Sequence, residues 1–373
     1  MKLKNNSLPG LLSFCVYSLL AVSLVIFIAS CSKNSSNNNN SVYDRIKPSK
    51  PAPIWGPDIA QQMQAVIETL DTLAPNPIHT LTPEAARVQP TPADAVMRVM
   101  QNFNVPVPAV NVDTVGKEIP VSGGSIHIRI YTPRTGKTIY PVIVYYHGGG
   151  WVIATIDTYN ASAQNLAEKT DAIVVAAEYR KGPEYKFPTA HNDAFAAYKW
   201  ALANASTYRG DSTKTAVAGE SAGGNLAITV SMMARDSGVR IPVHAVAVYP
   251  VASKDSTTPS KLQYVAAHPL STPDLPWFLG YYLVTPEQVS SPLIDLVDAN
   301  LNGLPATTII GAELDPLQSE GITLSSKLQS AGVSVNYKLY QGVTHEFFGM
   351  AAVVPQAEDA ENVVANDLKN AFK

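Results

Sequence analysis

The stretch Gly219-Glu220-Ser221-Ala222-Gly223 constrains this chain more than any other, because of what flanks it. An apolar run at 214–218 precedes it and a helix-like run at 225–235 follows. A serine framed by glycines between a buried strand and a helix is the pattern of a nucleophile elbow. The sharp turn strains the serine backbone, and larger side chains would collide where strand and helix crowd together. Ser221 is expected to project at the carboxyl end of the strand. The Ala222 N–H, at the helix start, points toward the carbonyl oxygen that the serine would attack. The same residues could instead be a small-residue strand-to-helix turn without chemistry, so corroboration must come from elsewhere in the chain.

The pattern around the elbow supports a layered fold. Continuous apolar runs at 141–146, 172–177, 215–218, 245–249 and 307–310 read as strands buried on both faces. Helical stretches at 159–169, 191–204 and 225–235 lie between most of them. Strand alternating with helix predicts a mostly parallel sheet covered on both sides. Residues 112–121 and 125–131 read as a strand pair joined through Gly123-Gly124, with His127 on the solvent side. A last strand is expected at 333–340 and a last helix at 356–372. More than fifty residues separate the strands ending at Tyr249 and starting at Thr307. That is too long for a plain crossover and reads as an inserted subdomain.

The first thirty residues read as a leader rather than as part of the fold. Lys2 and Lys4 precede an uncharged apolar run at 11–29, and Ile28-Ala29-Ser30-Cys31 places small residues before a cysteine. The arrangement resembles a bacterial lipoprotein signal, in which the cysteine thiol is lipidated and becomes the new first residue. A retained transmembrane helix and an ordinary secretory signal are the alternatives. Residues 32–41 are almost entirely Ser and Asn, which favours a flexible tether. The expected organisation is a signal at 1–30, a Ser/Asn- and Pro-rich tether at 31–56, a helical region at 57–105, and a catalytic domain at 106–373. Export to a membrane, with an outer-membrane location facing the periplasm or the surface, follows from lipidation at Cys31. The only other cysteine is Cys15, so a cleaved chain has no disulfide and must rely on core burial. A net charge of −3 gives no reason to expect nucleic acid as a partner.

Helix signals mark the region that follows. Residues 58–73 carry an apolar stripe, and Thr82-Pro83-Glu84 and Thr91-Pro92-Ala93-Asp94 read as helix starts.

A second glycine cluster, His147-Gly148-Gly149-Gly150-Trp151, directly follows the 141–146 strand. Glycines let the backbone approach a ligand and turn amides toward it, as an oxyanion requires. No Gly-Lys-Ser/Thr follows, which argues against a phosphate cradle. Serine needs a base oriented by an acid, and in this fold class the order is Ser, acid, His. The histidines after Ser221 are His244, His268 and His345. His244 begins a buried strand before any acid candidate, and His268 lies inside the insertion beside Pro269. His345 sits in Thr344-His345-Glu346-Phe347, expected as a loop after the last strand where a mobile imidazole can swing over the serine. Asp315, in Leu314-Asp315-Pro316-Leu317, is the acid candidate, with helix capping as its alternative role and Glu313 as its rival. No His-x-x-x-His pair or carboxylate cluster suggests a metal, and no cofactor is expected.

These motifs together resemble the hormone-sensitive-lipase-like, or acetyl-hydrolase-like, bacterial esterases of the α/β-hydrolase superfamily. The resemblance runs from about residue 58 to the end. It includes His147-Gly148-Gly149-Gly150, the elbow with Gly224, Leu314-Asp315-Pro316-Leu317 and Thr344-His345. Tyr179-Arg180-Lys181-Gly182-Pro183-Glu184 with Phe187-Pro188 is similar to the family's segment after its fourth strand. The resemblance implies an α/β-hydrolase fold, with a mostly parallel central sheet flanked by helices and a helical cap. By the family pattern, Ser221 is the nucleophile, Asp315 the acid and His345 the base. The amides of Gly149, Gly150 and Ala222 are the oxyanion donors, and His147 shapes the glycine loop. The cap is built from 57–105 and an insertion at about 252–300. Three departures from the pattern are Glu220 before the nucleophile, Lys181-Gly182 before Pro183, and Ser319 where a second acid is common.

The implied activity is a serine carboxylesterase on small-molecule, short-chain acyl esters, working through an acyl-enzyme. Trp277, Phe278, Tyr281 and Tyr282 of the insertion, with Met and Val from 57–105, are expected to wall the acyl pocket. A carbohydrate or xylan deacetylase using the same triad is the enzymatic alternative. A non-catalytic ligand-binding lipoprotein is the alternative of another class.

Overall fold

A computed structural model describes residues 41–373; the leader at 1–30 and Cys31 lie outside the described residues. Eight strands form one sheet: β1 Val112–Val121, β2 Gly124–Pro133, β3 Tyr140–Tyr146, β4 Ile173–Glu178, β5 Gly210–Glu220, β6 Ala245–Val248, β7 Thr307–Leu314 and β8 Val335–Thr344. Their spatial order is β1-β2-β4-β3-β5-β6-β7-β8. β1 and β2 form an antiparallel hairpin and β2 runs antiparallel to β4, while β3 to β8 are parallel. With the helices on both faces, this is the α/β-hydrolase fold.

The side-chain alternation of the strands explains why both faces are covered. On β3, Val142, Val144 and Tyr146 point to one apolar layer, and Ile143 and Tyr145 to the other. β4 repeats this with Ile173 and Val175 against Val174, and β6 with Ala245 and Ala247 against Val246 and Val248. A strand with no polar face must be roofed twice, and burying each large aliphatic side chain is worth about 1.5–3 kcal/mol. The helices Thr189–Asn204 and Ala222–Asp236 cover one layer, and Asn160–Thr170 and Pro355–Ala371 the other.

The strand order also locates the site. From β3 the chain moves outward to β4, then crosses back to β5 on the other side of β3. Loops at such a reversal diverge and leave a crevice at the carboxyl ends of the strands. The glycine cluster leaves β3 there and the elbow leaves β5, with Tyr146 paired to Gly219 in register.

The amino-terminal region departs from the expected organisation. The tether expected over 31–56 does not extend through the described part, because residues from Val42 onward dock on the body. Val42–Arg45 is a short helix capped by Ser41, Ile46 is fully buried, and the Tyr43 hydroxyl lies within hydrogen-bonding distance of two acceptors, Ala351 O at 2.8 Å and Glu358 Oε2 at 2.7 Å. Apolar Val42, Ile46 and Trp55 supply burial that a Ser/Asn tether lacks. The following helix spans Gln61–Leu73, starting later than its apolar stripe, because Ala60 N is committed to Gly342 O at 2.8 Å. Pro83–Val88 and Pro92–Asn102 begin where their caps predict: Thr82 Oγ1 accepts from Ala85 N, and Thr91 with Asp94 forms a capping box. Gln61–Leu73 and Pro92–Asn102 pack into the apolar layer shared with Asn160–Thr170 and Pro355–Ala371, so this region is as much core as cap.

Between β6 and β7, the insertion folds into the helices Pro259–Gln263 and Asp274–Tyr282 and the 3-10 turns Pro286–Ser290 and Leu296–Asp298. Its first helix is stitched to the loop after β7. Ser260 N donates to Ser319 Oγ at 3.1 Å, Ser319 N to Ser260 Oγ at 3.0 Å, and Ser260 Oγ to Pro316 O at 2.7 Å. Ser319 thus serves as a cap anchor.

Candidate active site

Ser221 has φ 56 and ψ −119, a conformation that few side chains tolerate. The surrounding backbone holds it there: Ser221 N donates to Val248 O at 2.9 Å, and Ser221 O accepts from Asn225 N at 3.0 Å. The flanking glycines are required sterically. A Cβ on Gly219 would lie 2.2 Å from Gly223 O, and one on Gly223 would lie 2.0 Å from Tyr146 O. The elbow expected from the pentapeptide is therefore present, with Ala222 opening the helix Ala222–Asp236.

The three separated candidates converge. Ser221 Oγ lies 2.9 Å from His345 Nε2, and Asp315 Oδ2 accepts from His345 Nδ1 at 2.7 Å. All three are at least nine-tenths buried. Asp315 does not cap the following helix Gln318–Ser330, whose N-cap position is Leu317; its Oδ1 accepts from Leu317 N at 2.8 Å, a local turn that fixes the carboxylate. Burial opposes a charged His345, but the Asp315 carboxylate outweighs it and lifts the imidazole above its ordinary range. β8 runs through Thr344, so His345 sits at a strand end with both ring nitrogens engaged, rather than on a mobile loop. The strand's continued pairing with β7, through Leu314 and Thr344, supplies that rigidity.

The rivals lie elsewhere. Glu313 accepts from Gly342 N at 2.7 Å and ties β7 to β8. His244 bonds Thr308 Oγ1 at 2.8 Å, and His268 pairs with Asp71 at 3.1 Å in the cap.

The loop after β3 is compressed from both sides. A Cβ on Gly149 (φ 92) would meet Ile153 O at 2.4 Å, and one on Gly150 (φ 57) would meet the Phe278 ring at 2.2 Å. Gly149 and Gly150 line the same cavity as Ser221 and His345. The Ala222 amide, first of its helix, belongs to the turn whose N–H groups lack helical partners. His147 is buried beneath them, stacked on Tyr179 at 4.2 Å, and its Nδ1 donates to Gly148 O at 2.7 Å. Burial pushes its pKa down to about 4, so it is neutral and structural. Tyr179 hydroxyl contacts His147 O at 2.9 Å and Gly148 O at 3.1 Å, completing the support.

Two carboxyls beside the triad, Glu220 buried and Glu346 partly exposed, were not assigned a role from the sequence. Glu220 does not line the cavity; its carboxyl accepts from the Tyr145 and Tyr249 hydroxyls, and the Tyr249 ring packs 4.5 Å from His345. Burial, then the nearby Glu346 charge, pushes Glu220 up to about 7. Glu346 does line the cavity, with Oε1 3.8 Å from His345 Nε2. Its position directly after the base was the available signal. Lys181, the other departure, neutralises Glu178 and donates to Ala154 O at 2.8 Å.

The cavity measures about 1060 Å³. Of the four aromatics expected to wall it, only Phe278 does. Trp277 donates to Leu81 O at 2.9 Å, and Tyr282 is buried between Trp151 and His191. Residues 57–105 contribute Leu70, Ile78, Ala86 and prolines rather than Met and Val. The helical Met and Val stripes face inward to the core, leaving the loops to line the cavity.

A serine bonded to an imidazole, with a carboxylate behind it and a glycine loop lining the same cavity, defines a serine hydrolase site on an α/β-hydrolase scaffold. A family model described as the alpha/beta hydrolase fold matches residues 143–349, and the chain belongs to that family. It is 35% identical over 251 residues to carboxylesterase NlhH of Mycobacterium tuberculosis, covering 66% of this chain and 79% of that one. It is 29% identical over 320 residues to an ethyl acetate hydrolase of Pseudomonas putida, covering 84% and 98%. The crystal structure of a thermostable esterase from Pseudomonas putida ECU1011 superposes with a TM-score of 0.77 at 29% identity, over 85% of this chain and 98% of that one.

Proposed function

We propose that this protein is a serine carboxylesterase that hydrolyses short-chain acyl esters through an acyl-enzyme. The observation that carries the reading is the hydrogen-bonded chain from Ser221 through His345 to Asp315. Ser221 Oγ attacks the ester carbonyl as its proton passes to His345 Nε2. Asp315 holds the Nδ1–H tautomer and stabilises the imidazolium. The amides of Gly149, Gly150 and Ala222 receive the negative charge that develops on the carbonyl oxygen. His345 then returns the proton to the leaving alcohol, and water repeats the sequence on the acyl-enzyme.

The names of the relatives support esters as the substrate class, and the Pseudomonas relative's name supports small ones. Close packing of Phe278 against Gly150, where a Cβ would find no room, supports a restricted space beside the reacting carbon. Measuring kcat/KM on p-nitrophenyl esters from acetate to palmitate tests the reading, with Ser221→Ala as the control. The maximum is expected between acetyl and hexanoyl, because apolar walls reward each added methylene by only about 1 kcal/mol until the space is full. A maximum at about twelve carbons or longer would overturn the chain-length reading.

We further propose export and lipid anchoring at Cys31. Support comes from the Ile28-Ala29-Ser30-Cys31 pattern, and from a Ser/Asn run that ends where the described body begins to dock. Cys31→Ser should abolish lipid labelling and remove the protein from the mature membrane fraction. An unmodified Cys31 inside an intact 11–29 segment, found by mass spectrometry of the wild type, would favour a retained transmembrane helix instead.

A further inference from the structure

Glu346 belongs to neither the elbow nor the hydrogen-bonded triad, yet it stands beside the reacting nitrogen. Its Oε1 is 3.8 Å from His345 Nε2, the nitrogen that faces Ser221, and it accepts from the Tyr159 hydroxyl at 2.6 Å. Its backbone is left-handed, with φ 70. Such a conformation costs a side-chain-bearing residue about 1 kcal/mol, and glycine adopts it freely. A glutamate therefore sits at a position where the backbone alone favours glycine. Tyr159 lies in turn against the glycine loop, where a Cβ on Gly148 would fall 2.2 Å from its hydroxyl. One carboxyl thus connects the base to the loop that carries the oxyanion donors.

We propose that Glu346 is a positioning residue for His345, a second carboxylate that stabilises the imidazolium from the Nε2 side while Asp315 holds the Nδ1 side. The proposal rests on the esterase reading above. At 3.8 Å the carboxylate is too far to take the Nε2 proton as a hydrogen bond, so it does not compete with Ser221 or the leaving alcohol. It is close enough for Coulomb attraction, which is stronger at a mostly buried pair than in bulk water. Tyr159 fixes the carboxylate and stops it from turning toward the proton.

The other titratable groups around the pair are Asp315, Glu220, and the phenols of Tyr145, Tyr159, Tyr179 and Tyr249. Two carboxyls near one another in a largely buried site do not both ionise readily. Burial pushes Glu220 up to about 7, and Glu346 has the imidazole as a counter-charge. Burial raises Glu346 as well, and His345 acts against that rise.

The test is the pH dependence of kcat/KM and kcat for the wild type, Glu346→Gln and Glu346→Asp. Glu346→Gln keeps the shape and an acceptor for Tyr159 but removes the charge. Its acid limb should move about 0.5–1 unit toward lower pH, because the imidazolium loses a stabilising charge. Its plateau kcat should fall about 10-fold. Glu346→Asp keeps the charge and should retain a limb near that of the wild type. A Glu346→Gln profile that superimposes on the wild type would overturn the proposal. So would equal losses in both variants with an unshifted limb, since that is what a purely structural contact gives. If wild-type hydrolysis survives Ser221→Ala, the esterase site itself is misread. If hydrolysis depends on Ser221 and the limb does not move, only the role of Glu346 fails.

Discussion

The floor and the roof of the cavity are held together by different chemistry. On the floor, Ser221, His345 and Asp315 are nearly inaccessible and joined by contacts of 2.7–2.9 Å, each side chain rooted at the end of a paired strand. The amino-terminal part of the roof is tied down by pairs with at least one partly wet partner, Arg87 with Glu184, His79 with Asp274, and His268 with Asp71, whereas the insertion is also anchored by the buried pair Lys261–Glu320. Buried, fully partnered groups resist displacement, whereas half-exposed ion pairs contribute only about 0–1 kcal/mol each. The chemistry therefore sits on the rigid half, and the amino-terminal part of the roof is joined by links that break more cheaply. Arg87 is the strongest of those links. It bonds Val152 O at 2.8 Å and both Glu184 oxygens at 2.7 and 2.8 Å, and it holds the Glu184 carboxyl down at about 2.

The contrast predicts a large catalytic effect with little loss of fold on the floor. Ser221→Ala should lower turnover by about 4 to 6 powers of ten. The thermal midpoint should change little, since no other side chain depends on that hydroxyl except His345. Residual hydrolysis above a few per cent of wild type, in a folded protein, would break the division between floor and roof.

Where floor meets roof, an intermediate effect is expected. Gly150 is left-handed, which alanine adopts at modest cost, but the new Cβ would fall 2.2 Å from the Phe278 ring. Gly150→Ala should displace either the ring or the amide, and kcat should drop about 100-fold, the scale of one lost oxyanion donor. Phe278→Leu in the same chain should recover part of the loss by giving the Cβ room. No recovery would mean that the backbone itself, rather than the roof, sets the amide position.

The two halves were also unequally legible in the sequence. The floor is written in local motifs whose steric reasons can be read directly, such as Gly219 and Gly223 around Ser221. Resemblance to the family pattern selected Asp315 over its rival Glu313, and the place of His268 inside the insertion set it aside in favour of His345. The roof depends on which face of each segment finds a partner, and that is decided by packing. Trp277, Tyr281 and Tyr282 read as pocket walls by composition, yet indole and phenol groups found backbone and aromatic partners away from the cavity. Glu220 and Glu346 escaped for a related reason. A glutamate beside a catalytic motif reads as solvated until the tyrosines that bury it, from β3 and from the loops after β3 and β6, are brought together. Residues 41–56 read as tether by their prolines, while the docking of Ile46 and Tyr43 depends on partners near residue 350.

The smallest effect is expected at His268, and it tests the roof alone. His268 pairs with Asp71 at 3.1 Å and stacks on Trp55, so it joins the insertion to the helix Gln61–Leu73. The hydrogen bond to Asp71 raises the imidazole pKa above its ordinary value, against the opposing effect of burial. A histidine whose folded pKa is raised contributes stability that is fully present below the unfolded value. That stability is lost as pH rises through the folded pKa. Both side chains are more than two-fifths exposed, so screening limits the contribution to about 0.2–1 kcal/mol. His268→Gln should therefore lower the thermal midpoint by about 1–3 °C near pH 6 and by less near pH 9. Hydrolysis at saturating substrate should remain close to wild type, because the ring is not part of the Ser221 chain. A midpoint difference that is the same at both pH values would mean that the Trp55 contact, not the charge, holds the roof.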